Sequence, residues 1–212
     1  MRLILVRHGQ TKWNLQKKIQ GSTDTELSQQ GIEEGRLVAK RLSTWDIDYL
    51  YSSDLKRAAK TAQLISEYHP KPLPINYDIR LRESSFGKWE GLTMKQVKEK
   101  YLKQYKSREE TPHVNIPDGE SFKSFSQRLA GFITQKKSQH LNCNIVAVAH
   151  SAVIKTILHN YLNLNWTTTK NSIYLSNCSI SVLKFLPSKV VLERHNDTAH
   201  FENNELKEVP RH

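Results

Sequence analysis

Ile145-Val146-Ala147-Val148-Ala149 is an unbroken apolar run, rich in β-branched residues and too short for a helix. A strand without polar alternation must be covered on both faces, as in a parallel sheet sandwiched by helices. Helical spacing surrounds it, with Phe122, Phe125, Leu129, Phe132 and Ile133 before and Val153, Ile154, Ile157, Leu158 and Tyr161 after. Short apolar runs predict strands at Arg2–Val6, Asp48–Ser52, Leu73–Tyr77, Asn144–Ala149, Ser179–Phe185 and Lys189–Arg194. Between the early ones lie the helical sets Ile32, Gly35, Val38, Ala39, Leu42, Trp45 and Leu55, Ala58, Ala59, Ala62, Ile65. This order predicts an α/β fold: a three-layer α/β/α domain with a mostly parallel sheet of about six strands. Leu186-Pro187-Ser188 is too short for a parallel crossover, so the last two strands should form an antiparallel edge.

A chain of 212 residues can bury one substantial core. No repeat or linker divides it, so residues 1–212 are expected to form a single domain, with a small helical cap insertion over roughly 84–120. Thr198–His212 is polar and weakly patterned, a tail expected to be loose unless it packs over a site. A mean hydropathy of -0.62 and the lack of a long apolar run exclude a helical membrane span. Leu3-Ile4-Leu5-Val6 stops at Arg7, short of a signal-peptide core, so export is not expected. The two cysteines, Cys143 and Cys178, fit neither a disulfide framework nor zinc spacing, which points to a cytoplasmic protein.

The formal charge of +11 implies attraction to anions. Lys17-Lys18, Lys98, Lys100, Lys103 and Lys136-Lys137 read as solvated helix faces, and the aromatics are too sparse for a base-stacking platform. A basic nucleic-acid-binding module is therefore the weaker reading.

In an open α/β sheet, ligands bind beyond the carboxyl ends of the strands. Arg7-His8-Gly9 follows the first strand, with Asn14 close behind; Ser53 to Arg57 follows the second, Arg80-Leu81-Arg82-Glu83 the third, and His150-Ser151 the fourth. Two histidines, arginines and a glutamate at one sheet edge suit binding a phosphoryl group, attacking it and moving a proton. The set requires neither metal nor organic cofactor, and none is expected.

These residues resemble the histidine phosphatase (phosphoglycerate mutase-like) superfamily. The resemblance is carried by Leu5-Val6-Arg7-His8-Gly9-Gln10-Thr11 with Asn14, by Gln20-Gly21-x-x-Asp24-x-x-Leu27-Ser28-x-x-Gly31, and by Ser52-Ser53-Asp54-Leu55-x-Arg57-Ala58-x-x-Thr61-Ala62. It continues in Leu81-x-Glu83-x-x-Phe86-Gly87-x-Trp89-Glu90-Gly91, Gly119-Glu120-Ser121, Val148-Ala149-His150 and Asn196-Asp197-Thr198-Ala199-His200. Ser151 departs from the glycine usual in the family.

The resemblance implies His8 as nucleophile through a phosphohistidine intermediate and Glu83 as proton donor, with Arg7, Arg57 and His150 completing the catalytic group. Arg7, Asn14, Gln20, Gly21, Arg57, His150 and Ser151 are the expected phosphate-binding set, with helix starts near Asp54–Arg57 and after His150 adding backbone N–H groups. His150 is expected to be protonated, and Arg80 and Arg82 to point away from Glu83. Trp89, Tyr101, Tyr105, His113 and Pro117 are the candidate cap residues.

Two reactions fit this machinery. Family mutases tend to be longer and carry Arg-His-Tyr after the glutamate, where this chain has Ser84-Ser85-Phe86. The expected activity is thus hydrolysis of small phosphorylated metabolites by a phosphoric monoester hydrolase, with a cofactor-dependent phosphoglycerate mutase as the alternative and an inactive interaction module less favoured. No nucleic-acid or membrane partner is expected; monomer and dimer both remain open.

Overall fold

The computed structural model describes residues 1–71 and 73–202. One sheet contains β1 (Arg2–Arg7), β2 (Tyr49–Ser52), β3 (Ile75–Tyr77), β4 (Asn144–Ala149), β5 (Ile180–Phe185) and β6 (Val190–Asp197), in spatial order β3-β2-β4-β1-β5-β6. β3, β2, β4 and β1 pair in parallel, whereas β5 pairs antiparallel with both β1 and β6. The helices are α1 (Lys12–Leu15), α2 (Gln29–Leu42), α3 (Lys56–Tyr68), α4 (Met94–Lys100), α5 (Leu102–Glu110), α6 (Phe122–Gln139), α7 (Ser151–Tyr161) and α8 (Trp166–Asn171).

The strand period of two sorts the core into layers. Leu3, Leu5, Ile145, Ala147 and Ala149 face α6 and α7, packing on Leu129, Phe132, Ile133 and Ile157. Ile4, Val6, Val146 and Val148 face α2 and α3, against Val38, Leu42, Ala58 and Ile65. Every one of these residues is 0–1% exposed. Full burial of a Val, Leu or Ile side chain contributes roughly 1.5–3 kcal/mol, so β1 and β4 anchor the sheet whose ends carry the chemistry.

Two strand boundaries differ from the sequence reading by more than one residue. β3 starts at Ile75 rather than Leu73, because Pro74 has no N–H to donate to the ladder. β6 continues past Arg194 to Asp197. Its outer residues are charged because it is an edge strand, and register shifts beside Val182 break the simple alternation.

Between β3 and α6, Trp89, Val97 and Ile116 form a separate small cluster with Ile19, Phe86 and Leu92 packed against it. It holds α4 and α5 over the sheet edge. Thr93 starts α4 with a capping box, its hydroxyl accepting from Gln96 N–H while the Gln96 side chain accepts from Thr93 N–H. Phe201, in a short turn of 3-10 helix, packs on the α2–α3 side. Residues 203–212, the rest of the expected loose tail, lie outside the described residues. Among the described residues, no helix is long and apolar enough to cross a membrane.

Candidate active site

The parallel register sets Arg7 opposite Ala149, so the residues that follow, His8 and His150, emerge side by side. Their ring centroids are 5.2 Å apart. His8 N–H donates to the Ala149 carbonyl (3.0 Å), and the His8 carbonyl accepts from Asn177 Nδ2 (2.9 Å). His8 Nδ1 lies 2.7 Å from the Gly9 carbonyl oxygen. A carbonyl only accepts, so the hydrogen belongs on Nδ1 and the free lone pair on Nε2. Burial, then Arg57 and Arg7, push the imidazole well below its ordinary pKa, against the Gly9 bond that favours the charged ring.

The loop after β1 is braced from below. Gly9 N–H donates to Thr61 Oγ1 (3.1 Å), and Gln10 N–H donates to Glu34 Oε2 (2.8 Å). Glu34 was not expected; the signal was a charged residue on the face of α2 that also buries Gly31, Gly35 and Val38. A Cβ on Gly31 would sit 2.0 Å from the Gln10 carbonyl oxygen, so α2 can approach the loop only through glycine. Gly31→Ala is expected to destabilise the protein by about 1–3 kcal/mol, read from the urea midpoint, and to lower kcat by shifting His8. An unchanged midpoint would contradict this close packing.

Arg57, in the first turn of α3, is 0% exposed. Its Nη1 and Nη2 donate to the Thr23 and Gly21 carbonyls (both 2.7 Å). Gly21 has φ +54, and Glu90 fills the space where its side chain would be, so its part is to present that carbonyl. Arg7 Nη1 donates to the Leu175 carbonyl (2.6 Å). Nε of both arginines is buried with no hydrogen-bond partner. Asn14 Oδ1 accepts from Thr11 N–H (3.0 Å) and Gln20 Oε1 from the Thr25 hydroxyl (2.6 Å), which turns each amide nitrogen into the available donor.

His150 is wholly buried, with Nε2 2.9 Å from Ser53 Oγ and Nδ1 unpartnered. Burial, then Arg57, His8 and Arg7, lower its pKa well below the ordinary value. The resting ring is therefore neutral, not the cation expected from sequence. Leu55 N–H donates to Ser53 Oγ (3.3 Å), which holds the hydroxyl beside His150 Nε2. The start of α3 also differs from expectation: Lys56 N–H donates to Asp24 Oδ1 (2.7 Å), so with Leu55 it is capped by protein groups.

Glu83 is half-buried, its two oxygens accepting from Ala152 N–H (3.1 Å) and Ser84 N–H (3.0 Å). Burial raises its pKa, outweighing those bonds and the pull of Arg57 and Arg7. Arg80 and Arg82 turn to Asp78 and Asp54 instead.

Arg7, His8, Asn14, Arg57, Glu83 and Ser151 open onto one cavity of about 460 Å³, to which Gln20 and Gly21 also contribute. His150 lies behind His8. Of the candidate cap residues, Trp89 and Tyr105 reach the cavity. Tyr101 packs in the cap cluster, His113 against the Phe122 ring, and the Pro117 carbonyl accepts from Lys88 N–H. Lys18, Arg108, Lys155, Trp166 and Lys170 also line the cavity and were missed. Their signal was faint, because polar helical segments look alike whether they face solvent or a cavity. Among the described residues, no group of three or more His, Cys, Asp or Glu is placed to hold a metal ion.

A sequence model of the histidine phosphatase superfamily (branch 1) matches residues 3–198. Phosphoserine phosphatase 1 of Hydrogenobacter thermophilus is 33% identical over 94% of both chains. A probable phosphoglycerate mutase of Yersinia pestis is 31% identical over the full length of both. Among solved structures, a phosphoserine phosphatase mutant from Entamoeba histolytica in complex with phosphoserine superposes with a TM-score of 0.84 at 34% identity, covering 94% of this chain and 98% of that one. YhfR of Bacillus stearothermophilus superposes with a TM-score of 0.87 at 26% identity, covering 95% and 99%.

Proposed function

The chain belongs to the histidine phosphatase superfamily, and we propose that it works through a phosphohistidine formed on His8. It is a phosphoric monoester hydrolase of small phosphorylated metabolites. The observation that carries the covalent route is the Nδ1 bond of His8 to Gly9, which leaves Nε2 unprotonated beside two buried guanidinium groups.

Arg7, Arg57, Asn14 and Gln20 surround the phosphoryl oxygens with donors, and His150 adds its neutral ring. The Ser151 backbone and the Gly21 turn complete the cradle. Nε2 of His8 bonds to phosphorus as the ester P–O bond breaks, and Glu83 gives its proton to the departing alkoxide. Water then attacks the phosphohistidine, Glu83 takes a proton back, and the N–P bond breaks to free phosphate and imidazole. The Gly9 carbonyl stabilises the positive ring while it carries phosphorus.

A mutase would return the group to a second phosphoglycerate before water arrives. Here Ser84 N–H binds Glu83, and the cap helices leave a cavity roomy enough for water. Residues 1–212 read as one catalytic domain with 84–120 as its cap, and the free thiols Cys143 and Cys178 accord with a cytoplasmic location.

Rapid quench during turnover of a labelled substrate tests the route. The expected result is protein-bound label that is acid-labile and base-stable, as a phosphoramidate is. Turnover with no trapped label at any quench time would overturn the covalent step.

A further inference from the structure

Beyond the phosphoryl site, the cavity is lined by helical faces with an unbalanced charge. Ser151 and Lys155 lie one turn apart on α7, Trp166 and Lys170 one turn apart on α8, and Tyr105, Arg108 and Glu109 share a face of α5. Lys170 is taken by Glu109 (2.5 Å). Lys155 and Arg108, both half-buried, have no carboxylate partner among the described residues. Among the described residues, the hydrogen bond of Lys155 Nζ is to the Lys170 carbonyl, at 3.3 Å. Arg108 spends Nη1 on the Pro112 and Val114 carbonyls (3.1 and 2.8 Å), which fixes the guanidinium and leaves the rest of its fork uncommitted.

Building on the phosphatase reading, we propose that Lys155 and Arg108 form a second anion subsite, so that the preferred substrates are short phosphomonoesters whose alcohol carries a further carboxylate or phosphate. A half-buried cation without a counter-ion is costly, and a bound anion offsets that cost. Burial lowers the pKa of both groups, as expected for charges awaiting a partner. Lys155 stands one helical turn, about 5.4 Å, along α7 from Ser151 of the phosphate-binding set and lines the same cavity. Trp166 and Tyr105 line the same cavity and supply apolar wall beside the two cations.

Matched esters test the assignment: 3-phosphoglycerate against glycerol 3-phosphate, which differ as carboxylate and hydroxymethyl, and propane-1,3-diol bisphosphate against its monophosphate. In at least one pair the anionic ester should be favoured about 10- to 100-fold in kcat/KM, as for a charge-assisted hydrogen bond. Preference in the first pair identifies a carboxylate, in the second a phosphate. Lys155→Met should reduce the ratio about 10-fold, chiefly through KM of the anionic ester, with Lys155→Arg retaining most of it. Wild-type ratios near one in both pairs would overturn the subsite, as would equal losses for both members in Lys155→Met. If that variant fails to fold, Arg108→Gln and the wild-type ratios decide. Failure of the wild type to release phosphate from these esters and from p-nitrophenyl phosphate would instead overturn the phosphatase reading.

Discussion

His8→Ala should lower kcat by on the order of 10⁴-fold or more, the scale seen when a covalent nucleophile is removed. No neighbour can substitute. His150 is the nearest imidazole, but it is wholly buried and its Nε2 is engaged by Ser53. Glu83 is tied to two backbone N–H groups and is needed as an acid. The fold should survive, because His8 is a polar ring only 3% exposed among cations and its side chain makes one hydrogen bond. Deleting it removes an electrostatic cost along with that bond, so the melting temperature is expected to stay within a few degrees. Phosphate release and label trapping should vanish together. A variant with more than about one hundredth of wild-type turnover would remove His8 from the nucleophile role.

The sheet was legible because its strands are written in apolar runs: Leu3 to Val6 and Ile145 to Ala149 leave no face for water, and burial enforces what the pattern suggests. The strand-end residues were legible for a related reason. Once β1 and β4 are parallel neighbours, His8 and His150 have to meet, whatever their separation along the chain. Illegible parts lack such a constraint. Nothing in Glu34 marks it as the acceptor for Gln10 N–H, because that bond depends on how closely α2 approaches through Gly31. Lys155 and Arg108 sit on helices whose polar residues satisfy the same periodicity in water as around a cavity. A cationic His150 was expected because a shared phosphate site suggests one, whereas complete burial, then Arg57, lowers its pKa well below the ordinary value.

Glu83→Gln should separate esters by their leaving groups. An alkoxide leaving group needs a proton in the transition state, so alkyl phosphates are expected to lose about 10²–10⁴-fold in kcat. Dinitrophenolate leaves readily without one, and its ester should lose far less when phosphohistidine formation limits the rate. Glutamine preserves the volume and one acceptor oxygen; the other backbone N–H now faces an amide nitrogen, a defect worth about 1 kcal/mol. The pH profile gives an independent readout. His8 must be neutral to attack, so kcat/KM falls as pH drops through its lowered pKa; Glu83 must be protonated to donate, so kcat/KM falls as pH rises through its raised one. The wild type should therefore show a bell-shaped profile, its acid limb set by His8 and its alkaline limb by Glu83, reporting the free enzyme. Removing the carboxyl should erase the alkaline limb for alkyl esters and leave the acid limb in place. Equal losses for activated and unactivated esters, or an alkaline limb that persists unchanged, would mean that the proton comes from elsewhere and that burial of Glu83 serves only to hold Ala152 at the start of α7.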